Sequence, residues 1–213
     1  VYSKPKYYIV NCFHFIISIL SQIFAQKIIY VSNYISKACI FPKKSKVIYN
    51  WISEDKKGEN SSREKKLYIK TPIKLLSVSS IAPGKGYEHL FSMLSICKDI
   101  EYHLDIVGAG NELYLQKLNK EAEQKGIFKN ITFHGYQNNV KKFYNDADAF
   151  ILFTKSESFG LVFAEAMYFG LPIFALDIPI TNEIIPKCNF LSNSIQTQRD
   201  NLLSLDDPSL YKK

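Results

Sequence analysis

Residues 156–172, SESFGLVFAEAMYFGLP, decide the fold, because they contain a helix-like segment without a polar stripe. The segment 161–169 is apolar at every position except one, which predicts a helix buried on all sides. Gly170 and Pro172 follow where a helix C-terminus is expected. The exception is Glu165, a carboxylate whose burial is costly unless it is paired or hydrogen-bonded.

A second carboxylate, Glu157, precedes this predicted helix. Between the two, Phe159, Gly160 and Leu161 would form the turn into the helix, where free backbone N–H groups attract an anion. Two acceptors for hydroxyl groups beside a seat for a phosphate are the pattern of a sugar-nucleotide site. The alternative is a structural Glu165 that is hydrogen-bonded to the backbone or to a lysine.

The composition is that of a folded globular protein, with 46% hydrophobic and 22% charged residues in a chain of 213. This length suits one large domain, or one domain and part of another. The net charge of +7 suits an anionic ligand or an anionic membrane face. We find no arginine-rich stripe, so a nucleic-acid partner is not expected. The four cysteines have no metal-binding spacing, which predicts reduced thiols in a cytoplasmic protein.

Residues 7–25 form an apolar run after Lys4 and Lys6. A signal peptide has this order, but polar residues dilute the run and make a full membrane span doubtful. We favour a buried or interfacial helix. Three short elements are expected after it, a strand, a helix and a strand, at 28–31, 33–40 and 47–49.

Residues 53–70 are the most polar and charge-dense part of the chain, which marks a linker or a surface loop. We place a domain boundary there. Residues 1–50 would be the end of a first domain, 51–72 a linker and 73–213 the main domain. The alternative is a long solvated loop within one domain.

From residue 73 onward, short apolar segments alternate with segments of helical spacing. Such alternation predicts an α/β fold with a parallel sheet covered by helices on both faces, and ligands at the C-terminal ends of the strands. The predicted strands are 74–78, 102–107, 130–134, 148–153 and 172–176. The predicted helices are 87–96, 112–125, 140–145 and the apolar helix at 161–169.

Four segments would meet at that edge of the sheet. They are residues 80–86, 108–110, 135–136 and 157–165. In the first, SIAPGKG, the glycines free backbone N–H groups and Lys85 can neutralise a phosphate. The second is only part of a dinucleotide fingerprint. The third could meet a base or be an ordinary turn.

Asp146 and Asp148 spell an Asp-x-Asp pattern that could hold a divalent metal with a diphosphate. They lie between a predicted helix and the start of a strand, at the edge opposite to the one where ligands gather. We therefore expect neither a bound metal nor a cofactor.

Taken together, the chain resembles glycosyltransferase family 4, the group 1 glycosyltransferases of GT-B fold. The resemblance covers residues 28–185, and its most specific segment is YNDADAFILFTKSESFGLVFAEAMYFGLPIFALD. The other matching segments, in the family's order, are IIYVSNYISK, KVIYNWIS, KLLSVSSIAPGKGYEHL, YHLDIVGAGNE, ITFHGY and NEII. It implies a Rossmann-like donor-binding domain, truncated at its C-terminus, with a remnant of a first domain.

The resemblance also implies residue roles. Lys85 matches the lysine that binds the donor diphosphate, and Glu157 matches a glutamate that contacts the donor sugar near the reacting carbon. Glu165 matches the glutamate that holds the ribose hydroxyls. The residues implied to bind the substrate are Ser80, Gly86, Gly108, Gly135, Tyr136, Phe159, Gly160, Leu161 and Glu165.

The implied reaction is transfer of a sugar from a nucleotide-sugar donor to a hydroxyl of a glycan or lipid-linked acceptor. It usually proceeds with retention and without a metal, here in surface polysaccharide or lipopolysaccharide synthesis. A cytoplasmic protein in peripheral contact with the inner face of the membrane is expected.

Three departures from the family pattern keep alternatives open. Ser80 stands where the family commonly has an arginine, and His14 does not match the catalytic histidine of the first domain. The sequence also stops about thirty residues beyond Glu183, where family members normally continue through further helices. The alternatives are a non-catalytic nucleotide-sugar-binding fragment, a sugar-nucleotide epimerase of similar fold, and a membrane-anchored scaffold that uses residues 7–25.

Overall fold

The computed structural model describes residues 15–52, 71–187 and 189–206. The chain forms two compact units, Val1–Asn50 and Trp51–Lys213. Most of the predicted linker, 51–72, lies outside the described residues. The two units are considered separately below.

The first unit contains a helix, α1, over residues 15–24, and a small parallel sheet. Its further elements are β1 (Ile28–Tyr30), α2 (Asn33–Ser36) and β2 (Ser45–Val47). Ser32 begins α2 as predicted, because its hydroxyl accepts a hydrogen bond from the Ile35 amide at 3.2 Å.

Two predictions for this unit need correction. Helix α2 ends at Ser36 rather than near residue 40, because the next amides bond in tight turns. The second strand begins at Ser45, two residues earlier than predicted, directly after a 3₁₀ turn at Pro42–Lys44.

The part of the predicted helix that the structure describes, residues 15–24, is present as α1, whereas residues 7–14 lie outside the described residues. Of the two alternatives, a buried or an interfacial helix, the exposed apolar side chains of α1 do not fit the buried one. Phe15, Ile16 and Phe24 are exposed, whereas the polar Gln22 is buried and accepts a hydrogen bond from the Ile40 amide at 2.7 Å. Among residues 15–52, 71–187 and 189–206, no helix is long and apolar enough to cross a membrane.

The second unit is built on six parallel strands in the order β5-β4-β3-β6-β7-β8. The strands are β3 (Ile73–Val78), β4 (Tyr102–Val107), β5 (Ile131–Phe133), β6 (Ala149–Leu152), β7 (Ile173–Ala175) and β8 (Phe190–Leu191). The helices are α3 (Tyr87–Ser95), α4 (Glu112–Gln124), α5 (Lys141–Asp146), α6 (Leu161–Tyr168), α7 (Pro179–Ile184) and α8 (Ile195–Leu203). The predicted parallel sheet is confirmed, while α7 and β8 were not predicted.

Each face of the sheet has its own apolar core, because successive residues of a strand point to opposite faces. Leu75 belongs to the first core, with side chains of α3, α4 and α8. Leu76 belongs to the second core, with side chains of α5 and α6 and with Ile185. Helices therefore cover both faces, as the sequence predicted.

Cys97 lies just after α3 and is part of the first core. Its Sγ donates to the Met93 carbonyl at 3.3 Å, and burial raises the pKa of the thiol to about 12. Cys97 is therefore a neutral packing group.

The excess positive charge is confined to one part of the sequence. Residues 1–50 contain seven lysines and no Asp, Glu or Arg, whereas residues 51–213 contain 20 basic and 20 acidic residues. The whole net charge of +7 thus belongs to the first unit.

Candidate functional site

The strand order creates a switch point between β3 and β6. From β3 the chain winds outward through β4 and β5, and it then returns to place β6 on the other side of β3. Loops that follow neighbouring strands at such a point diverge and leave a crevice at the C-terminal edge of the sheet, where ligands of α/β proteins bind. All four predicted segments follow strands β3, β4, β5 and β6.

Backbone hydrogen bonds join these segments to one another. The Ile81 amide donates to the Ala109 carbonyl at 2.7 Å, which ties the loop after β3 to the loop after β4. Gly108 donates to the Gly135 carbonyl at 2.9 Å, which ties in the loop after β5. The structure therefore brings residues 80–86, 108–110 and 135–136 together along one edge.

The loop after β6 is joined to the loop after β3. The Lys155 amide donates to the Gly84 carbonyl at 2.9 Å. Gly86 has φ +77°, and a Cβ at this position would lie 1.8 Å from the Phe153 carbonyl oxygen. Because the two backbones touch, only glycine fits at residue 86.

Across this contact, the Lys85 ammonium forms an ion pair with the Glu157 carboxylate. The two side chains are 23% and 16% exposed, so solvent reaches the pair only in part. The residues come from loops on the two sides of the switch point, β3 and β6. Sequence reasoning selected both residues but did not predict that they pair.

Helix α6 begins shortly after Glu157 of this ion pair, at Leu161. Gly160, the residue before the helix, has φ +81°, and a Cβ there would lie 2.7 Å from the Phe163 ring. The turn predicted at residues 159–161 is therefore present, with Phe159 buried and Leu161 exposed. The Phe163 amide donates to the Gly160 carbonyl at 2.9 Å. Amides in the first turn of a helix generally lack acceptors within the helix, which makes this end of α6 attractive to an anion.

Glu165 is buried within α6, with 6% of its surface exposed. Its Oε2 accepts a hydrogen bond from the Tyr144 hydroxyl at 2.9 Å. Glu165 also lines a small pocket, whose other lining residues are Ile52, Val140, Lys141, Tyr144 and Phe169. From the sequence, the backbone or a lysine was considered as the partner of a structural Glu165; one partner that the structure shows is a tyrosine beside a pocket.

The prediction that α6 is buried on all sides is wrong. Its buried residues are Phe163, Glu165 and Ala166, whereas Leu161 is 40% exposed. The remaining side chains are half-buried, because the helix covers the sheet with one face only. Apolar character around a helix therefore overstated its burial.

The remaining predicted residues differ in accessibility. Ser80 is exposed, and its carbonyl accepts from the Ser79 hydroxyl at 3.0 Å. Tyr136 is 72% exposed, so its ring is accessible at the edge of the sheet. Gly135 has φ +64° and open space around the position of a Cβ.

Several residues that support the site were missed. The Tyr87 and Ser79 hydroxyls are hydrogen-bonded at 2.7 Å beneath the loop after β3. His134 Nε2 lies 2.6 Å from Asp105 Oδ1 and anchors the start of the loop that contains Gly135. Tyr144 was missed because its contact with Glu165 joins two helices; only an aromatic residue in a predicted helix was visible in the sequence.

The Asp-x-Asp pattern lies at the opposite edge of the sheet, as predicted. The Asp148 Oδ2 accepts from the Lys74 amide at 3.0 Å, and Lys74 is at the beginning of β3. Within the described part of the chain, no three His, Cys, Asp or Glu residues are grouped as metal ligands would be.

Comparison with known proteins identifies related sequences. The family model "Glycosyl transferases group 1" matches residues 59–189. An uncharacterised glycosyltransferase of Methanocaldococcus jannaschii is 32% identical over 67% of this chain and 38% of its own length. The capsular polysaccharide biosynthesis glycosyltransferase CapH of Staphylococcus aureus is 25% identical over 79% of this chain and 48% of its own length.

An uncharacterised 41.2 kDa protein of the Klebsiella pneumoniae cps region is 26% identical over 86% of this chain and 56% of its own length. The chain thus spans about half the length of the curated relatives it matches, or less.

Solved structures share the fold. Anabaena HepE, crystallised with UDP and glucose, superposes with a TM-score of 0.78 at 21% identity, over 90% of this chain and 56% of its own. A glycosyltransferase from Rickettsia africae superposes with a TM-score of 0.76 at 19% identity, over 88% and 56% of the two chains. These likenesses confirm the predicted fold class, since the neighbours are GT-B glycosyltransferases.

Proposed function

The chain belongs to the group 1 glycosyltransferase family, and from that premise we propose that it provides the nucleotide-sugar donor site of a sugar-transferring enzyme. The observation that carries the proposal is the Lys85–Glu157 ion pair at the switch point, beside the N-terminus of a helix that buries Glu165. A cation and a helix N-terminus suit the diphosphate of a nucleotide sugar, and the two carboxylates suit the hydroxyl groups of its donor sugar and its ribose.

The proposed transfer breaks the bond between the sugar's anomeric carbon and the diphosphate oxygen. A new bond forms between that carbon and the acceptor oxygen, the nucleoside diphosphate leaves, and the proton of the acceptor hydroxyl passes to the departing diphosphate or to water. Negative charge grows on the leaving diphosphate, and Lys85 with the first amides of α6 would stabilise it. Retention of configuration and independence from metal are part of the proposal.

The ion pair gives Lys85 and Glu157 complementary tasks. Without donor, each neutralises the other's charge in a half-buried position. When a diphosphate competes for Lys85, Glu157 becomes free to accept hydrogen bonds from the donor sugar and to orient it. The site would thus exchange one charge pair for another rather than expose a lone charge.

Glu165 is proposed to bind the ribose hydroxyls of the donor. It lies in the second turn of α6, beside a pocket that Val140 and Tyr144 of the α5 region also line. The loop that leads into α5 contains Gly135 and Tyr136, which we propose as neighbours of the base.

Relatives support a role in cell-surface glycan synthesis. CapH is named for capsular polysaccharide biosynthesis, and the Klebsiella pneumoniae relative is named for its cps region. The proposed acceptor is a growing glycan or a lipid-linked precursor. We assign residues 1–50 to the acceptor-side domain and 51–72 to the linker between the domains.

Peripheral contact with an anionic membrane is a further part of this proposal. It is supported by the absence of acidic residues from positions 1–50 and by the exposed apolar side chains of α1. Co-sedimentation with phosphatidylglycerol vesicles at low salt, and release by salt, is the expected result. A protein that stays in solution under these conditions would contradict membrane contact.

The donor site is tested by calorimetric titration with UDP, GDP and their sugars. We expect Glu165→Gln and Lys85→Met each to weaken binding at least tenfold, since each removes a charged hydrogen-bonding group. Lys120→Met on α4 is the matched control and should bind normally. Unchanged affinity in Glu165→Gln together with lower stability would make Glu165 a structural residue.

Turnover assays with glycan acceptors separate the candidate functions. Sugar transfer supports the enzyme, and binding without turnover supports a non-catalytic donor-binding fragment. The exposed Ser80, at the position where an arginine is common in the family, favours that second candidate. Interconversion of donor sugars without any acceptor would indicate an epimerase.

A further inference from the structure

Tyr144 lies between the residues proposed to contact the base and the glutamate proposed to bind the ribose. It lies on α5, which follows the loop that contains Gly135 and Tyr136, and its hydroxyl donates to Glu165 on α6. This hydrogen bond between side chains joins α5, on the side proposed for the base, to α6, on the side proposed for the ribose.

The Tyr144 ring is held firmly in place. It stacks on Phe169 with 5.1 Å between ring centroids and 5° between planes, and on Phe150 with 6.0 Å and 20°. The side chain is almost completely buried. A tyrosine has two rotatable side-chain bonds, and stacking on two rings leaves little freedom to either.

The hydroxyl is also fixed in its role as donor. Burial, and then the neighbouring Glu165 charge, raise the pKa of Tyr144 far above its usual range. A neutral phenol beside a carboxylate donates its proton to the hydrogen bond, and a bond from a neutral donor to a carboxylate is stronger than one between neutral groups.

We propose that Tyr144 is a positioning residue that holds the Glu165 carboxylate in the orientation needed to bind ribose, and so sets the preference for ribonucleotides over deoxyribonucleotides. This inference rests on the donor site proposed above. Glu165 sits on a helix, and its side chain has three rotatable bonds of its own. The rigid tyrosine limits the orientations that its carboxylate can adopt.

The test compares affinities for UDP and 2′-deoxy-UDP, or for GDP and 2′-deoxy-GDP if the wild-type chain prefers guanine. We expect Tyr144→Phe to lower the ratio of ribonucleotide to deoxyribonucleotide affinity about fivefold to tenfold, the effect of one hydrogen bond of ordinary strength. Phenylalanine keeps the ring stack, and 0.5 M sucrose in all samples favours the folded state. General damage to the fold would weaken both ligands equally and leave the ratio unchanged.

Tyr102→Phe is the matched control. Tyr102 is a buried tyrosine whose hydroxyl donates to the Leu94 carbonyl at 3.3 Å, but it begins β4, at the edge of the sheet away from the site. The same chemical change there should leave the ratio at its wild-type value.

Glu165→Asp provides a second variant that keeps the negative charge. Its carboxylate is drawn back by one methylene group, away from the Tyr144 hydroxyl, and we expect the ratio to fall as in Tyr144→Phe. A wild-type ratio in either variant would overturn the positioning role while leaving the donor site intact. Failure of the wild-type chain to bind any nucleotide would overturn both proposals.

Discussion

Glu157 and Glu165 lie close together in sequence at one edge of the sheet, but the molecule holds them in different ways. Glu157 is on a loop and forms an ion pair with Lys85 that solvent partly reaches. Glu165 is buried in a helix and accepts a hydrogen bond from the neutral Tyr144. In the proposed donor site, the charged partner of Glu157 would be exchanged for the charges of a ligand, whereas the stacked Tyr144 would hold the Glu165 carboxylate in place before a ligand binds.

The comparison suggests a division of labour within one site. The Lys85–Glu157 side would adapt as the diphosphate binds and leaves, and the Tyr144–Glu165 side would be preorganised for a group that does not react. Binding a non-reacting part of the substrate rigidly helps to position the reacting part. The following predictions break or sharpen this contrast, and they run from the largest expected effect to the smallest.

Gly86→Ala should disrupt the Lys85–Glu157 ion pair by separating the loops after β3 and β6, which carry these two residues. The new Cβ would overlap the Phe153 carbonyl oxygen, so one backbone must move. We expect the free energy of unfolding to fall by about 3–5 kcal/mol, the range of severe steric conflicts in a core. Urea denaturation followed by circular dichroism measures the change.

Gly84→Ala is the control for Gly86→Ala. Gly84 also has a positive φ, but a Cβ there would meet no atom within 4 Å. The expected loss is about 1 kcal/mol, from backbone strain alone. Equal losses in the two variants would show that the loops after β3 and β6 do not press together as described.

Removing the two carboxylates one at a time should show that the Tyr144–Glu165 and Lys85–Glu157 pairs contribute differently to stability. Glu165→Ala leaves the buried Tyr144 hydroxyl without this acceptor and removes packed atoms, so we expect a loss of about 2–3 kcal/mol. Glu157→Ala leaves Lys85 able to reach water, and we expect less than about 1 kcal/mol. The same unfolding measurement tests both, and a reversed order of the two losses would contradict the contrast.

The stability of the Tyr144–Glu165 side should depend on alkaline pH. The pKa of Tyr144 is raised in the folded protein from a usual value of about 10, first by burial and then by the Glu165 charge. Its contribution is therefore complete below about pH 10 and is lost as the pH rises further, because only the unfolded chain ionises there.

Tyr144→Phe should remove that dependence. Between pH 10 and 11 we expect the variant to lose about 1 kcal/mol less stability than the wild-type protein does. Tyr87 and Tyr102, whose pKa values are also raised, remain in both proteins and cancel in the difference. If the free energy of unfolding changed with pH in the same way for both proteins, the pKa of Tyr144 would be the same in the folded and the unfolded chain, which would contradict this prediction.

The smallest effect concerns salt. A double-mutant cycle with Lys85→Met and Glu157→Gln should give a coupling energy of about 0.5–1 kcal/mol at low salt, which is typical of a partly exposed ion pair, and a smaller value at 1 M salt. The cycle between Tyr144→Phe and Glu165→Gln should change little with salt, since one partner is neutral. Equal salt sensitivity of the two couplings would remove the distinction.

Much of the fold was predictable because it follows from local pattern. The predicted span of β4 equals the observed one, and the ends of α3, α4 and β7 differ from prediction by one residue or not at all. In each case apolar spacing, glycine and proline mark the element and its limits.

What was missed depends on contacts between distant segments. Strand β8 has only two residues, too few for a pattern, and it is defined by pairing with β7. Helix α6 was predicted to be buried all round because composition does not reveal which faces its neighbours cover.

The site divides in the same way. Lys85, Glu157 and Glu165 were identified from residue type, from their place after strands and from family resemblance. Tyr144 was not, because its importance lies in reaching Glu165 from another helix. Roles that need a particular residue type are visible in a sequence, and roles that need a neighbour are not.

Because Cys97 is buried, the reactivity of its thiol can be used to detect local opening of the structure around it. A thiol that is buried and kept neutral reacts with a disulfide reagent only after the segment that follows α3 moves away from the sheet. Helix α3 connects the loop of residues 80–86 to the segment that contains Cys97, so the labelling rate of Cys97 reports how often the C-terminal end of this helix loosens from the sheet. A donor that binds to this loop and stabilises α3 should slow the labelling. Its affinity can then be obtained from the labelling rates at increasing donor concentrations, without a chromophore on the ligand.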